Sequence, residues 1–265
     1  MVEKLVIAKS LQEAASLKNA RSAFLAGGTE DNRLNSTVDA RTLISIGRIA
    51  ELDGISDEGS SIRIGAMSTF QDIIDSPVVP EYLKEACRFM GSRTKRNMAT
   101  IGGNIALRRT DSYLYPTLLA CCAKLVLMDA KGDRIQKCVC CFNRKHDKLK
   151  DLLIVEIRVP KGARVVSKRV SNTVQSHAVL TVALGEVEGK LRLGVAAKDT
   201  ALTRLDAISD ALEKGPLSDE AILKMVKSDE ALKFKSDIFG SPEYKSYRLA
   251  VTVADLYRTL KGGAR

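Results

Sequence analysis

The order of apolar and polar positions divides the chain into short strands and short helices. Leu5-Val6-Ile7 reads as a strand, and Ser10 then precedes Leu11-Gln12-Glu13-Ala14-Ala15-Ser16-Leu17. That stretch predicts a helix capped by Ser10, with Glu13 at the capping-box position. Ala23-Phe24-Leu25-Ala26 and Thr42-Leu43-Ile44-Ser45-Ile46 predict two more strands, so that a small β-α-β unit ends near residue 53. Ser61-Ile62-Arg63-Ile64-Gly65-Ala66 alternates as a strand does. Helices are expected from Ser68 onward and between Pro80 and Met90, the second with Tyr82, Leu83, Ala86 and Phe89 or Met90 on one face. Residues 113–122 predict a buried helix, and 124–129 and 152–159 predict strands, the latter closed by Pro160. Beyond residue 161 the strands 165–170, 179–184 and 191–196 come before helices at 203–214, 218–227 and 244–260. Strands grouped before helices point to an α+β domain.

Two glycine pairs punctuate this pattern. Ala26-Gly27-Gly28-Thr29-Glu30 follows the first apolar run, and Ala99-Thr100-Ile101-Gly102-Gly103-Asn104-Ile105 lies well downstream. Each is expected to be a strand ending in a Gly-Gly turn, with Thr29, Thr100 and Asn104 as hydrogen-bonding neighbours. Glycine reaches positive φ and lets a ligand touch the backbone. Consecutive amides in such a turn form a concave nest for an anion. Two nests on separate loops suit one diphosphate gripped from two sides, although a single Gly-Gly after a strand is ordinarily only a turn. Neither stretch carries G-x-G-x-x-G or G-x-x-x-x-G-K-[ST], which argues against a Rossmann or P-loop protein.

The 265 residues allow one large domain or two to three small ones. No apolar run reaches the roughly 18 residues of a bilayer span. The start Met1-Val2-Glu3-Lys4-Leu5-Val6-Ile7 is unlike a signal peptide, so a cytoplasmic protein without a membrane partner is expected. Its six cysteines, Cys87, Cys121, Cys122, Cys138, Cys140 and Cys141, are then expected as free thiols. A formal charge of +10 raises the question of nucleic acid, but the basic residues are spread and aromatic residues make up only 5%. Basic grooves interleaved with stacking aromatics are missing, so no nucleic-acid partner is expected. Arg93-Thr94-Lys95-Arg96 and Arg108-Arg109 bracket the second glycine motif. They read either as solvated loop charge, or as a positive rim for a phosphate-bearing cofactor or an acidic partner.

The chain offers few groups for substrate chemistry. Of its two histidines, His146 sits in the polar run Asn143-Arg144-Lys145-His146-Asp147-Lys148, expected as a solvated loop, and His177 is expected to pack or hydrogen-bond. Cys138-Val139-Cys140-Cys141 reads as a core strand with alternating cysteines rather than a zinc knuckle. No catalytic residue and no metal ligand is assigned. A diphosphate cradle without acid, base or nucleophile fits a protein whose reactive part is a bound cofactor.

Longer motifs carry a family resemblance. Arg96-Asn97-Met98-Ala99-Thr100-Ile101-Gly102-Gly103-Asn104-Ile105 follows the earlier Ala26-Gly27-Gly28-Thr29 turn. Pro116-Thr117-Leu118-Leu119-Ala120, Glu156-Ile157-Arg158-Val159-Pro160, Lys168 and Ser241-Pro242-Glu243-Tyr244-Lys245 come after it in order. In these the chain resembles, over essentially its whole length, the FAD-binding (medium) subunit of molybdenum hydroxylases, the group of xanthine, carbon monoxide and nicotinate dehydrogenases.

The resemblance implies an α+β fold with two FAD-binding subdomains of the vanillyl-alcohol-oxidase-like type, residues 1–53 and 54–160, and a C-terminal α+β domain, 161–265. It implies FAD with its pyrophosphate across both glycine loops. The implied cofactor residues are Leu25, Ala26, Gly27, Gly28, Thr29, Glu30 and Asp31 on one side, and Thr100, Ile101, Gly103 and Asn104 on the other. Leu153 would pack on the flavin ring and Lys168 would lie near it. Tyr113 stands where many members have an aspartate on the ribose or adenine side, with Asp111 as its replacement two residues earlier, and Ser176 stands where the family often has another aspartate. The cysteine-bearing insertion that holds an iron–sulfur cluster in some members is missing. The implied function is an electron-transfer oxidoreductase subunit passing electrons from a partner's iron–sulfur clusters through FAD to NAD or another acceptor, with a molybdenum-cofactor subunit as a further partner. The alternative is a non-catalytic dinucleotide-binding or assembly module that has lost flavin electron transfer.

Overall fold

A computed structural model of the protein describes residues 2–30, 39–174, 176–198, 200 and 202–262. The chain forms two compact units that interleave along the sequence. One comprises Met1–Val79, Ser92–Leu107 and Ala123–Val159, the other Pro80–Gly91, Arg108–Cys122 and Pro160–Arg265.

The first unit contains two sheets. β1 (Lys4–Ile7), β2 (Ser22–Leu25) and β3 (Thr42–Ser45) are parallel, with β3 in the middle, where Leu43 pairs with both Leu5 and Ala23. The helix Leu11–Leu17 lies between β1 and β2 in sequence and buries Leu11, Ala14 and Ala15. Ser10 Oγ accepts from the Glu13 amide at 3.1 Å, as expected of a cap. Glu13 departs from a regular capping box, because its carboxylate accepts from the Lys9 amide at 2.7 Å, one residue before the cap. The second sheet comprises β4 (Ile55–Asp57), β5 (Ser61–Gly65), β6 (Lys124–Met128), β7 (Arg134–Cys138) and β8 (Leu153–Pro160), in the order β4-β5-β8-β6-β7. β8 is central, and only Arg158 and Pro160 of its eight residues escape full burial. A strand covered on both faces has no polar side to alternate with, which is why it reads as a near-continuous apolar run.

One charge interrupts that run. Glu156 is buried and accepts from Arg63 Nε and Arg158 Nε, each at 2.7 Å. Burial pushes its carboxyl up, but the guanidiniums of Arg158 and Arg63 outweigh burial and hold it below the ordinary glutamate range. Arg63 also donates to the Glu51 and Asp53 carbonyls, so the pair ties the turn 50–53 to the sheet.

The second unit is built on an antiparallel sheet of β9 (Arg164–Val170), β10 (Leu180–Val187), β11 (Lys190–Ala197) and β12 (Thr203–Arg204), in the order β12-β11-β10-β9. Glu188 and Gly189, with φ of 53° and 76°, turn β10 into β11, the left-handed pair a two-residue hairpin needs. Leu180, Val182 and Leu184 of β10 join Leu191, Leu193 and Val195 of β11 in one apolar cluster with the helices Asp206–Glu213, Asp219–Ser228 and Pro242–Gly262. Each such side chain contributes about 1.5–3 kcal/mol when fully buried. Among the alternate positions Ala183, Gly185, Gly194 and Ala196 are small. Gly185 and Gly194 lie against the backbone of the buried helix Tyr115–Ala120. Large residues thus face the C-terminal helices, and small ones let the short helix lie close on the sheet.

Several expectations need correction. The second glycine motif is no strand. Thr100 makes one isolated bridge to Thr69, and Ile101–Leu107 is helical from there. The cysteine run is not a strand either: Cys138 ends β7, and Cys140 and Cys141 lie on the helix Val139–Arg144. His146 opens a further turn of helix and meets Phe142 edge-on instead of lying in a loop. The helix expected from 203 starts at Asp206, because Thr203 and Arg204 pair with β11. In the helix Glu81–Arg88 the buried face is Leu83, Ala86 and Cys87, while Tyr82 is half-buried.

The close approach of Tyr115–Ala120 to the sheet is testable. A Cβ at position 185 would overlap the Ala120 carbonyl oxygen. Gly185→Ala is expected to cost about 1–3 kcal/mol through overpacking. At Gly47 the nearest atom to an added Cβ is 3.9 Å away, at the flexible tip of Met67. Gly47→Ala should therefore stay within about 0.5 kcal/mol of the parent. Thermal melts of both variants check this, and equal melting temperatures would contradict the packing account.

Candidate cofactor-binding site

In the first unit, β2 ends at Leu25, whose carbonyl accepts the last ladder bond from Ile46 at 3.1 Å. The chain then leaves the sheet through Ala26, Gly27, Gly28 and Thr29. Gly28 has a φ of 67°, the left-handed conformation that favours glycine. No hydrogen bond within the described residues engages the amides of Ala26, Gly27, Gly28 or Thr29. Backbone donors are nearly always satisfied in folded proteins. Four successive amides have no partner among the described residues, on residues that except for Gly28 are half-exposed, and donors in such a run suit an anion. Glu30 is buried at the end of this loop, and Asp31 lies outside the described residues.

The second motif works differently from the nest expected of it. Its amides are already used: Ile101 N donates to Ser68 O at 3.0 Å, Gly102 N to Ala66 O at 2.9 Å, and Gly103 N to Thr100 Oγ1 at 3.1 Å. Asn104 N donates to Thr100 O at 3.0 Å, closing the first helical turn. Nor does either glycine here adopt positive φ. What the glycines provide is space. A Cβ at Gly102 would stand 2.7 Å from Ala66 Cβ, and one at Gly27 would overlap the Met98 carbonyl oxygen. The first loop is thereby seated on residues 98–100. A Cβ at Gly103 would lie 2.9 Å from Thr100 Oγ1 and 3.7 Å from Ala26 Cβ, so Gly103 borders the gap beside the first loop. Ala26 and Gly27 therefore meet Met98, Thr100 and Gly103, while Leu153 is buried at the start of β8.

Asp111, Tyr113 and Lys168 belong to the second unit. Asp111 takes a two-pronged pair of hydrogen bonds from Arg109, at 2.9 Å each, and His177 Nδ1 stands 3.1 Å from its other side. The Tyr113 ring lies under the Arg169 guanidinium, 5.0 Å from its centre, and Arg169 also donates to the Ser176 carbonyl. Lys168 pairs with Asp255 at 3.4 Å. The sequence pattern does not assign Arg109 and Arg169 as partners for Asp111 and Tyr113. Only the two-residue spacing of Arg109 and Asp111 hints at their pairing, and the contacts of Arg169 and His177 are long-range. Among the described residues no group of three or more His, Cys, Asp or Glu converges as a metal site would, and no helix is long and apolar enough to cross a membrane.

Burial pushes the Asp111 carboxyl up, but Arg109, helped by His177, outweighs burial and holds it below the ordinary aspartate range. A depressed pKa means that the folded state binds the proton more weakly than the unfolded state. The stabilisation is therefore complete above about pH 3.9 and is lost as the pH falls through the folded-state value. Asp111→Asn should melt below the parent at neutral pH, and the gap should close as the pH is lowered past about 3.9. Melting curves across that range check it, and a gap that does not shrink would contradict the pairing.

Residues 2–162 match the family described as FAD binding domain in molybdopterin dehydrogenase. The chain is 30% identical over 263 residues to the uncharacterized protein YgfM of Escherichia coli strain K12, covering 97% of this chain and 96% of that one. It is 31% identical over 193 residues to the glyceraldehyde dehydrogenase medium chain of Sulfolobus acidocaldarius, covering 68% of each. Its fold matches a chain of carbon monoxide dehydrogenase from Hydrogenophaga pseudoflava, solved in a form lacking the Mo-pyranopterin moiety of the molybdenum cofactor. The TM-score is 0.83 at 25% identity, covering 99% of this chain and 98% of that one. With the amide cradle in place, the chain belongs to the family of FAD-binding domains of molybdopterin dehydrogenases, whose members are subunits of oxidoreductases.

Proposed function

We propose that this chain is the FAD-carrying electron-transfer subunit of a xanthine dehydrogenase-like molybdenum hydroxylase. It stands between iron–sulfur clusters of a partner subunit and NAD or another acceptor, and substrate hydroxylation belongs to a separate molybdenum-cofactor subunit. The observation that carries this reading is the set of unpartnered amides at Ala26, Gly27, Gly28 and Thr29. A pyrophosphate is the part of FAD that such a cradle suits, and each hydrogen bond to a charged group is worth roughly 1.5–3 kcal/mol. FAD, when bound, supplies the capacity to take electrons singly and release them as a hydride.

The roles of the residues follow from their positions. The amides of Ala26 to Thr29 hold and orient the phosphate. Thr100 keeps the Gly103 amide engaged, and Gly103 and Asn104 border the cradle without crowding it. We assign Leu25, Glu30, Ile101 and Leu153 of the first unit as further cofactor residues in this reading, and Asp111, Tyr113 and Lys168 by the resemblance alone; Asp31, assigned likewise, lies outside the described residues. We assign the family's two FAD-binding subdomains, of the vanillyl-alcohol-oxidase-like type, to residues 1–53 and 54–160, the C-terminal domain to 161–265, and the protein to the cytoplasm.

A second reading is favoured by one feature: the Asp111 carboxylate is already engaged by Arg109 and His177, and the Tyr113 ring is covered by Arg169. In that reading the chain binds the dinucleotide or supports assembly but passes no electrons. Substrate-dependent bleaching of the flavin in the purified complex separates the two. Bleaching supports electron transfer, and a flavin band that ignores substrate while the rest of the complex is reduced supports the second reading.

Two predictions test the proposal. Gly103→Val should leave the fold intact by circular dichroism and raise the Kd for FAD at least tenfold, a loss of about 1.4 kcal/mol, in a fluorescence titration. An unchanged Kd in a folded variant would remove Gly103 from the cofactor site. Purification from the native host at low salt should recover the chain with iron- and molybdenum-containing subunits, with binding weakened as salt rises if charge steers the contact. Recovery only as a free protein that oxidises a substrate unaided would overturn the assignment.

A further inference from the structure

Cys138, Cys140 and Cys141 take no part in the cofactor cradle. Cys138 ends the edge strand β7 and caps the helix Val139–Arg144, its Sγ accepting a hydrogen bond from the Cys141 amide at 3.0 Å. The cap and the third helical residue lie on the same side of a first turn, as residues three apart do on any helix. Cys140, one position earlier, lies on a different side. The turn is held in place: Val139 and Phe142 are buried, and the Val139 amide donates to Ala123 O at 3.0 Å. All three thiols are free and half-exposed, whereas Cys87 and Cys121 are buried.

We infer that Cys138 and Cys141 form a reversible dithiol–disulfide site that responds to hydroperoxides. The site stands apart from the flavin reading and does not depend on it. Burial, and after it the neighbouring Cys141 thiol, pushes the Cys138 thiol up to about 11. The thiolate is the attacking form, and in this proposal Cys141, whose thiol is not engaged in the cap, opens the reaction. Its sulfur attacks one peroxide oxygen, the O–O bond breaks, and the products are a sulfenic acid on Cys141 and an alcohol or water. The Cys138 sulfur then attacks the sulfenyl sulfur, the S–O bond breaks, and water leaves with the Cys138 proton. Two thiols lose two electrons in total, and the peroxide gains them. A thiol such as dithiothreitol reverses the change by exchange.

The test uses the full chain with hydrogen peroxide as the probe. After stoichiometric peroxide and alkylation, peptide mapping should find Cys138 joined to Cys141, about 2 Da lighter for the two hydrogens lost, and dithiothreitol should restore both thiols. Cys140→Ser should behave like the parent. Cys138→Ser keeps a good cap, so it should fold, yet it should form no disulfide and let Cys141 proceed to sulfinic acid that thiols do not reverse. Cys138 and Cys141 that both remain alkylatable after peroxide in the parent protein, or a bridge that includes Cys140, would overturn the inference.

Discussion

The first unit depends on places where two stretches of backbone touch because a side chain is missing between them. At Gly27 the loop after β2 rests on the Met98 carbonyl, and at Gly102 the start of a helix rests on Ala66. Both contacts converge on the segment 98–104. Fixing that segment from two sides places Thr100 and Gly103 beside Ala26 and Gly27. It also explains why the two glycine motifs differ in chemistry. The second has its amides consumed by the contacts that hold it, to Ser68, Ala66 and Thr100. The first is held by van der Waals contact through Gly27, which leaves its amides free for a ligand.

The interior charges follow a common rule. Glu156 lies between Arg63 and Arg158, and Asp111 between Arg109 and His177. In both cases burial alone would favour the neutral acid, and neighbouring guanidiniums keep the carboxylate charged. Removing one partner from such a group leaves an uncompensated charge, which costs far more than an exposed ion pair contributes. Glu156 therefore carries a structural role in β8, where it also fixes the turn at residues 50–53 through Arg63.

Membership of the FAD-binding family of molybdopterin dehydrogenases gives this division of labour a chemical meaning. A subunit whose chemistry resides in a cofactor needs positioned donors more than acids or bases. The amides after β2, which have no partner among the described residues, have the character of such donors, with packing beneath them through Gly27. Donors held in place in this way lose little entropy on binding.

Local pattern was enough to determine most elements. Ser10 and Ser218 mark helix starts, the apolar run of β8 marks a central strand, and the alternating stretches near 180 and 191 mark a hairpin. The glycine motif near residue 27 and the longer motif around residue 100 likewise point to FAD and to the family from sequence alone. Tertiary structure decided what periodicity does not encode. A run such as Ala99 to Ile105 has the composition of a strand and turn, yet it becomes a helix because Ser68 and Ala66 offer carbonyls to its first amides and Thr100 caps the turn. Cys138 to Cys141 bends from strand into helix where the Cys138 sulfur takes the Cys141 amide. The partners of Asp111 and Tyr113 are distant in sequence except for Arg109. Which amides stay free, and which carboxylates are already paired, is set by long-range contacts that no local window of residues contains.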